Sequence, residues 1–483
     1  MRVYGLSTLM LLLLLVVSCE VLPVASNPSF GRVPRPVSVH PPGTARLLVY
    51  IHSTASSPPD VAFTLEGMEF ESFGGTKTVV EFTPVEISAV KLVNNQIFLA
   101  EAFVEPGAYN GVNLNITNAS MRSGEGRASL TLPDPGGTSF QFNAAFGAGE
   151  SSVMSLAWNP NESVEKRHMF RPDIKVEPQA PSPKNLLLFV SNRGSDYISI
   201  IDKSLERVVA AVTVGNMPSG MAINQVKEAL YVLNSGGGTV SEVDAVNFRV
   251  RDTIRLPFGI EPTDIAYVPA YAGAMDGKLY VVNRLSNDVL VMDTLTTRVI
   301  KTITVGTTPS FMATDALRRE MYVTNEMSNN VSVINADANA VVATIKTDAR
   351  PSGLAIGDGK IYVFSAALNS ITVISQSTRE VIDRVSVGQS PERGLKAFNG
   401  RLMTANAKSG SVSFFNREHA FQRSVPTGKS PVAIAADEKR NRIYVADYGG
   451  NEVILLDPIG ERYIKTLTVG PNPYGAVQPD STQ

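Results

Sequence analysis

The sequence predicts an all-β protein, a seven-bladed β-propeller preceded by an Ig-like β-sandwich domain. Three observations carry that expectation. A phrase of the form aromatic-Val-x-Asn returns seven times between residue 185 and the C-terminus, at steps of 42, 49, 42, 40, 41 and 41 residues. Each unit holds four short apolar runs, the content of a propeller blade. Upstream of the repeat, short runs with period-2 alternation, such as Val112, Leu114 and Ile116 around Asn113 and Asn115, are cut by Gly/Pro turn clusters.

The bulk numbers bound the function. With 483 residues and 43% apolar content the chain can bury a sizeable core, enough for two or three domains or for one domain and a repeat array. Lys+Arg 43 against Asp+Glu 45 leaves a net charge of -2, so there is no global basic field and nucleic acid is not an expected partner. Cys19 is the only cysteine, which excludes an internal disulfide.

In chain order, residues 1–18 read as a signal peptide: a positive start at Arg2, an apolar run from Leu9 to Val17, and Ser18 before Cys19. Val16-Val17-Ser18-Cys19 resembles the lipobox of bacterial lipoproteins, which implies cleavage before Cys19 and lipidation of its thiol. The alternative is cleavage after Val24-Ala25-Ser26, releasing a soluble secreted protein. The lipobox reading makes the membrane a partner through the lipid on Cys19. It places the protein in the bacterial cell envelope, at the outer membrane or cell surface, with Glu20 weakly favouring the outer membrane by resemblance to enterobacterial sorting.

Residues 19–44 are Pro-rich, the composition of a tether. Residues 45–170 carry the sandwich runs RLLVYIHS, DVAFTLEGMEF, KTVVEFTP, AVKLVNN, GVNLNITN, RASLTLP and SFQFNAAF, with turn clusters such as PDPGG at 133–137. FVEPGAYNGVNLNIT resembles a segment of uncharacterised sandwich domains in bacterial surface lipoproteins. His52 and His168 are expected to be ordinary surface or edge residues. A second Pro-rich stretch, residues 171–184, reads as a linker, and residues 185–480 form the propeller.

The seven tetrads are FVSN ending at Asn192, YVLN at Asn234, YVVN at Asn283, YVTN at Asn325, YVFS at Ser365, MTAN at Asn406 and YVAD at Asp447. Ten residues on stands Asp202, Asp244, Asp293, Asn335, Ser375, Asn416 or Asp457. The third marker is Gly-x-x-Pro, ending at Pro218, Pro262, Pro309, Pro391, Pro431 and Pro473, with Asp348 replacing the glycine before Pro351. The run after each Pro reads as inner strand a, the tetrad as b, the next run as c and the last as d. The tetrad Asn is expected to make an Asx-type turn after strand b, and the second polar residue the same at the c–d hairpin. The extra residues near 270–277 fall in an a–b loop. Leu186 opens a strand b with no strand a before it, and the run from Pro473 is a strand a with no b after it, so the two ends should complete one blade.

Over residues 185–480 the chain resembles the YVTN-repeat β-propellers, bacterial and archaeal exported and surface-layer proteins; Tyr322–Asn325 is that tetrad itself. The resemblance implies a propeller. Single-stranded nucleic-acid binding, suggested for relatives, would need a local basic face. Neither C-x-x-C-H nor a second cysteine is present for heme, and His419 is the only histidine of the repeats, so no metal and no cofactor are expected. The chain therefore reads as no enzyme but a monomeric binding or scaffolding platform for a protein or glycan partner. The competing reading is an envelope hydrolase or lyase at the channel mouth. Either site belongs on the face that collects b–c and d–a turns: Arg193, Arg284, Glu326, Lys408 and Tyr448 from the former, Asp264, Phe311, Glu392, Arg393 and Tyr474 from the latter.

Overall fold

The computed structural model describes residues 40–479 apart from 82, 134–136, 182–185, 258–260 and 272–274. The signal segment, Cys19 and the tether up to residue 39 lie outside the described residues. So do Gly259 of one Gly-x-x-Pro marker and the centre of the 270–277 insertion.

Two sheets share one apolar core in the N-terminal part. The first runs in the order Ile174–Pro178, Ser151–Trp158, Ala45–Ser53, Gln96–Val104; the second is built on Val61–Ser72 and Gly107–Ser123. Ala45–Ser53 and Ser151–Trp158 are parallel, unlike the all-antiparallel pattern of Ig sheets. Leu47, Val49 and Ile51 point to Phe63, Phe70, Leu114 and Trp158 in this core. Their neighbours Leu48 and Tyr50 point the other way and pack with Leu188, Tyr197, Tyr444 and Leu455 of the propeller. The unbroken apolar run RLLVYI thus reflects burial on both faces of one strand.

Three local expectations are corrected. Residues Ile174–Pro178, expected in the linker, pair antiparallel with Ser151–Trp158. Ile174 and Val176 are buried while Lys175 and Glu177 alternate outward, and that period-2 pattern outweighs the flanking prolines. AVKLVNN forms a 3-10 turn at Val90–Leu92 rather than a strand; Leu92 is buried and Asn94 takes a left-handed φ of 55°. His52 is 4% exposed, not a surface residue, and burial, then the charge of Arg207, pushes its pKa down to about 4.

The propeller has seven four-stranded antiparallel sheets. In blade 1, Pro473–Val477 pairs with Leu187–Asn192, so the chain's last described strand closes the ring against its first tetrad. The central residues of strands b and c are buried, and LLFVSN and YISIID are buried along their whole length, because each blade packs against two others. Every strand a begins on its proline, where the missing N–H leaves no ladder bond unmade. A register shift follows that proline in all seven blades.

The tetrad Asn does not make an Asx turn. Its Nδ2 donates across to strand c: from Asn192 to Ser199 at 3.0 Å, from Asn234 to Ser241 at 3.0 Å, from Asn325 to Ser332 at 2.9 Å and from Asn406 to Ser413 at 2.9 Å. Held there, the amide occupies the space a Cβ would need at the marker glycine; one on Gly306 would meet Asn325 Cγ at 2.6 Å, and one on Gly388 would meet Asn406 Cγ at 2.7 Å. Tetrad and glycine are therefore two halves of one contact. In blade 5 both halves change together: Ser365 is shorter than Asn, its Oγ donates to Ala349 O at 2.6 Å, and Asp348 stands where the glycine would be. The second polar marker behaves as expected, Asp244 Oδ1 accepting from the N–H groups of Val246 and Asn247, both at 2.9 Å.

The sandwich is joined to blades 1 and 7. Gln96 exchanges both amide bonds with the Val208 peptide, and Gln179 Oε1 accepts from Val153 and Ala211. Fully buried Arg46 pairs with Glu101 at 2.8 Å and with Asp196 of blade 1 at 2.6 Å. Tyr50 donates to Thr468 O, and Lys465 donates to Asn94 O, both from blade 7.

Putting a longer amide opposite Asp348 tests the tetrad–glycine contact. Ser365→Asn alone should lower unfolding free energy by about 1–3 kcal/mol through overpacking. Adding Asp348→Gly should restore most of that loss in a denaturant melt; additive losses would contradict the contact.

Candidate functional site

The register shift at each strand a re-aims the third residue of the strand. Counting from the proline, the third residues of blades 1 to 7 are Gly475, Gly220, Asp264, Phe311, Gly353, Arg393 and Ala433. All of them except Gly353 line, with other residues of the inner strands, an axial cavity of about 390 Å³. Four of these seven carry no side chain beyond Cβ, which leaves the axis to Asp264, Phe311 and Arg393.

Phe311 and Arg393 meet, together with Tyr474 from the second position of blade 1. The Arg393 guanidinium lies 4.7 Å from the Phe311 ring centroid and 4.5 Å from that of Tyr474, and its Nη1 donates to Tyr474 O at 3.2 Å. From blade 4 to blade 6 and from blade 6 to blade 1 one blade is skipped, so this stack reaches across the axis. Arg193 from the b–c turn of blade 1 covers Tyr474 as well, at 4.8 Å. Asp264 fits beside Gly220, where a Cβ would meet its Oδ1 at 2.6 Å, and its Oδ2 accepts from Met312 N at 2.9 Å. Burial raises the Asp264 pKa to about 6, against the opposing charge of Arg393 and the backbone N–H groups of Met312 and Ile265.

The other expected residues divide. Arg284 and Glu326, from the b–c turns of blades 3 and 4, form an ion pair at 2.7 Å, and Arg350 closes on the second Glu326 oxygen at 2.5 Å. Partial burial would raise the Glu326 carboxyl, but the hydrogen bond from Arg350 and the charge of Arg284 hold it below the usual carboxylate range. Glu392 accepts from Ser390 Oγ at 3.0 Å. Lys408 and Tyr448 stand apart from these clusters, their backbone N–H groups tying the b–c turns of blades 6 and 7 to the d–a loops.

Sequence reasoning missed Arg350 and a second repeated clamp. Asn287, Asn329, Asn369 and Asn451, at φ of 52–59°, accept the N–H of Thr308, Arg350, Ser390 and Asn472 at 2.8–2.9 Å. Each acceptor precedes its donor by 21 residues, a spacing that could have been read directly. Asn tolerates the left-handed conformation better than most residues, which suits it to this turn. At the opposite end of the axis Lys396 pairs with Asp358 at 3.2 Å and donates to Tyr362 Oη at 2.6 Å. Tyr362 in turn meets His419 Nε2 at 3.1 Å, and His419 Nδ1 meets Asp383 at 3.1 Å, which accounts for the one histidine of the repeats. Among the described residues no group of three or more His, Cys, Asp or Glu side chains is placed to hold a metal ion.

No protein-family model and no curated protein sequence matches the chain. Among solved structures it is similar to a functionally unknown protein from Desulfotomaculum acetoxidans DSM 771, at TM-score 0.53 and 14% identity over 60% of this chain and 98% of that one. It is also similar to hydrazine synthase of Kuenenia stuttgartiensis, at TM-score 0.47 and 18% identity over 53% and 87% of the two chains. Virginiamycin B lyase from Staphylococcus aureus matches at TM-score 0.45 and 14% identity over 52% and 84%. At such identities the likeness concerns the fold alone.

The Asp264 carboxyl binds its proton more tightly in the folded protein than in the unfolded chain, where its ordinary value is 3.8. Its contribution to stability is complete below that value and is lost as pH rises through about 6. Between about pH 3 and pH 7 the wild type should lose roughly 3 kcal/mol relative to Asp264→Asn. Parallel pH–stability curves for the two proteins would refute the assignment.

Proposed function

We propose that this chain is an exported, lipid-anchored propeller of the YVTN type whose ring is a non-catalytic platform, and that a protein partner docks on the b–c loops of blades 3 to 5. The observation that supports this reading most directly is the composition of that sector. Leu285, Met327 and Leu368, one from each of these b–c turns, are 61%, 61% and 51% exposed. They flank the Arg284–Glu326–Arg350 network. Apolar teeth beside fixed charges suit a protein surface better than a glycan, which would call for uncovered aromatic faces. In a closed ring of seven, blade 4 lies opposite the junction of blades 7 and 1, where the sandwich is attached, so the anchor side and the docking side are separated.

The alternative, an envelope hydrolase or lyase at the channel mouth, would draw on Asp264 as its acid. The other carboxylates on this face favour binding instead: Glu326 is held between two arginines, and Glu392 by the Ser390 hydroxyl.

Site-specific photocrosslinking in intact cells tests the platform. p-Benzoylphenylalanine at Leu285 or Met327 should give a discrete protein adduct, whereas the same group at exposed Ile459, on the opposite face, should not. Equal adduct patterns at both faces, or a glycan adduct, would overturn the protein reading. The anchor is tested separately: Cys19→Ser should abolish labelling by radioactive palmitate and move the protein from the membrane to the soluble fraction. Persistence of label in that variant would place the lipid elsewhere.

A further inference from the structure

The axial cavity raises a question that the docking sector does not answer, because its chemistry is distinct. We propose that it binds a small organic monocarboxylate, with the carboxylate on the edge of Arg393 and the apolar body lying along the inner strands. The site is independent of the b–c loops of blades 3 to 5.

The argument starts from the guanidinium. The Phe311 and Tyr474 rings both lie within 5 Å of it and restrict its plane, while Nη1 donates to the Tyr474 carbonyl. Arginine carries five donors in a rigid fork, so most of the fork's edge is uncommitted in this arrangement. Other cations of the cavity wall are engaged: Lys396 is paired with Asp358. Asp264 feels the charge of Arg393 across the cavity. A buried cation in a fixed plane with unused donors calls for an anion of matching geometry, and a carboxylate meets such a fork with two parallel bonds.

Two further features narrow the class. Asp264 lies in the same cavity and is faced by Arg393, by the N–H groups of Met312 and Ile265, and by Gly220. A dianion such as phosphate would be repelled by this carboxylate, whereas a monoanion can share a hydrogen bond with its protonated form. Midway along the inner strands the wall is apolar, including Ala266, Ala313, Ala355 and Ala435, and the charged residues Lys396, Asp437, Glu438 and Lys439 come from later positions of strands a and the turn that follows. A volume of about 390 Å³ suits one aromatic ring or a short alkyl chain. Binding then draws a proton onto Asp264, and affinity falls as pH rises past the range in which that carboxyl titrates.

Calorimetric titration of the full-length protein with benzoate and with octanoate tests the proposal, using benzyl alcohol, octan-1-ol and inorganic phosphate as controls. Saturable binding of the carboxylates alone is expected, weakened about tenfold or more by Arg393→Gln, since charged hydrogen bonds are lost. Asp264→Asn should flatten the dependence on pH. Ala355→Phe fills the channel away from the Phe311–Arg393–Tyr474 stack and should abolish binding; it carries the test alone if Arg393→Gln fails to fold. Binding of the alcohols as tight as that of the acids, displacement by phosphate, survival of binding in Ala355→Phe, or no carboxylate binding at millimolar concentration would each overturn the assignment.

Discussion

Blades 1, 2, 4 and 6 depend on one buried contact, the tetrad amide lying where the marker glycine has no Cβ, and in blade 7 the Asp447 carboxylate takes that place. The Asn side chain, held by a strand-c serine, brings the d–a loop down onto the end of strand b. That position sets where the proline begins strand a. The register shift after the proline then aims the third residue at the axis. A change at the glycine would therefore be felt at the channel, although neither Asn nor Gly touches it. Blade 5 supports this dependence, since Ser365 and Asp348 depart from the pattern together.

The same scaffold makes the ring asymmetric where it matters. Seven near-equivalent strands a supply four small residues and three large ones at the axial level, and the large ones come from blades 3, 4 and 6. Small residues are required where a neighbour's main chain or side chain already fills the space, as beside Gly220 and Gly475. The sandwich adds a second asymmetry. Strand d of blade 1, RVVAAVT, is largely buried beneath it, whereas RVRDTIR of blade 2 is mostly exposed. Buried Arg46, held between Glu101 and Asp196, ties that junction in one geometry. Such a pair recovers its desolvation cost only with well-made partners, so it specifies orientation more than it adds stability.

Much of this was legible in the residues. The tetrad, the second polar marker and Gly-x-x-Pro give the seven sheets and the closure by Pro473–Val477, because the period of a blade is a property of local sequence. The misreadings have physical causes. The tetrad Asn was assigned a local turn because its partner, the strand-c serine seven residues on, is reached only once the hairpin forms. The buried His52 looked like an edge residue because its burial depends on packing far along the chain. Prolines around Ile174–Pro178 masked a strand whose alternation was plain.

The candidate site divides along the same line. The sequence alone determined the fold class and the face on which Arg193, Asp264, Phe311, Arg393 and Tyr474 stand, since strand order dictates which turns share an end of the ring. Which of the ten expected residues meet was decided by ring closure, which brings strands a of blades 1, 4 and 6 within reach across one axis. No spacing encodes that meeting, because residues 311, 393 and 474 are joined only through the geometry of seven packed sheets. Burial of Asp264 against Gly220, and with it the raised affinity for a proton, likewise exists only in the assembled ring.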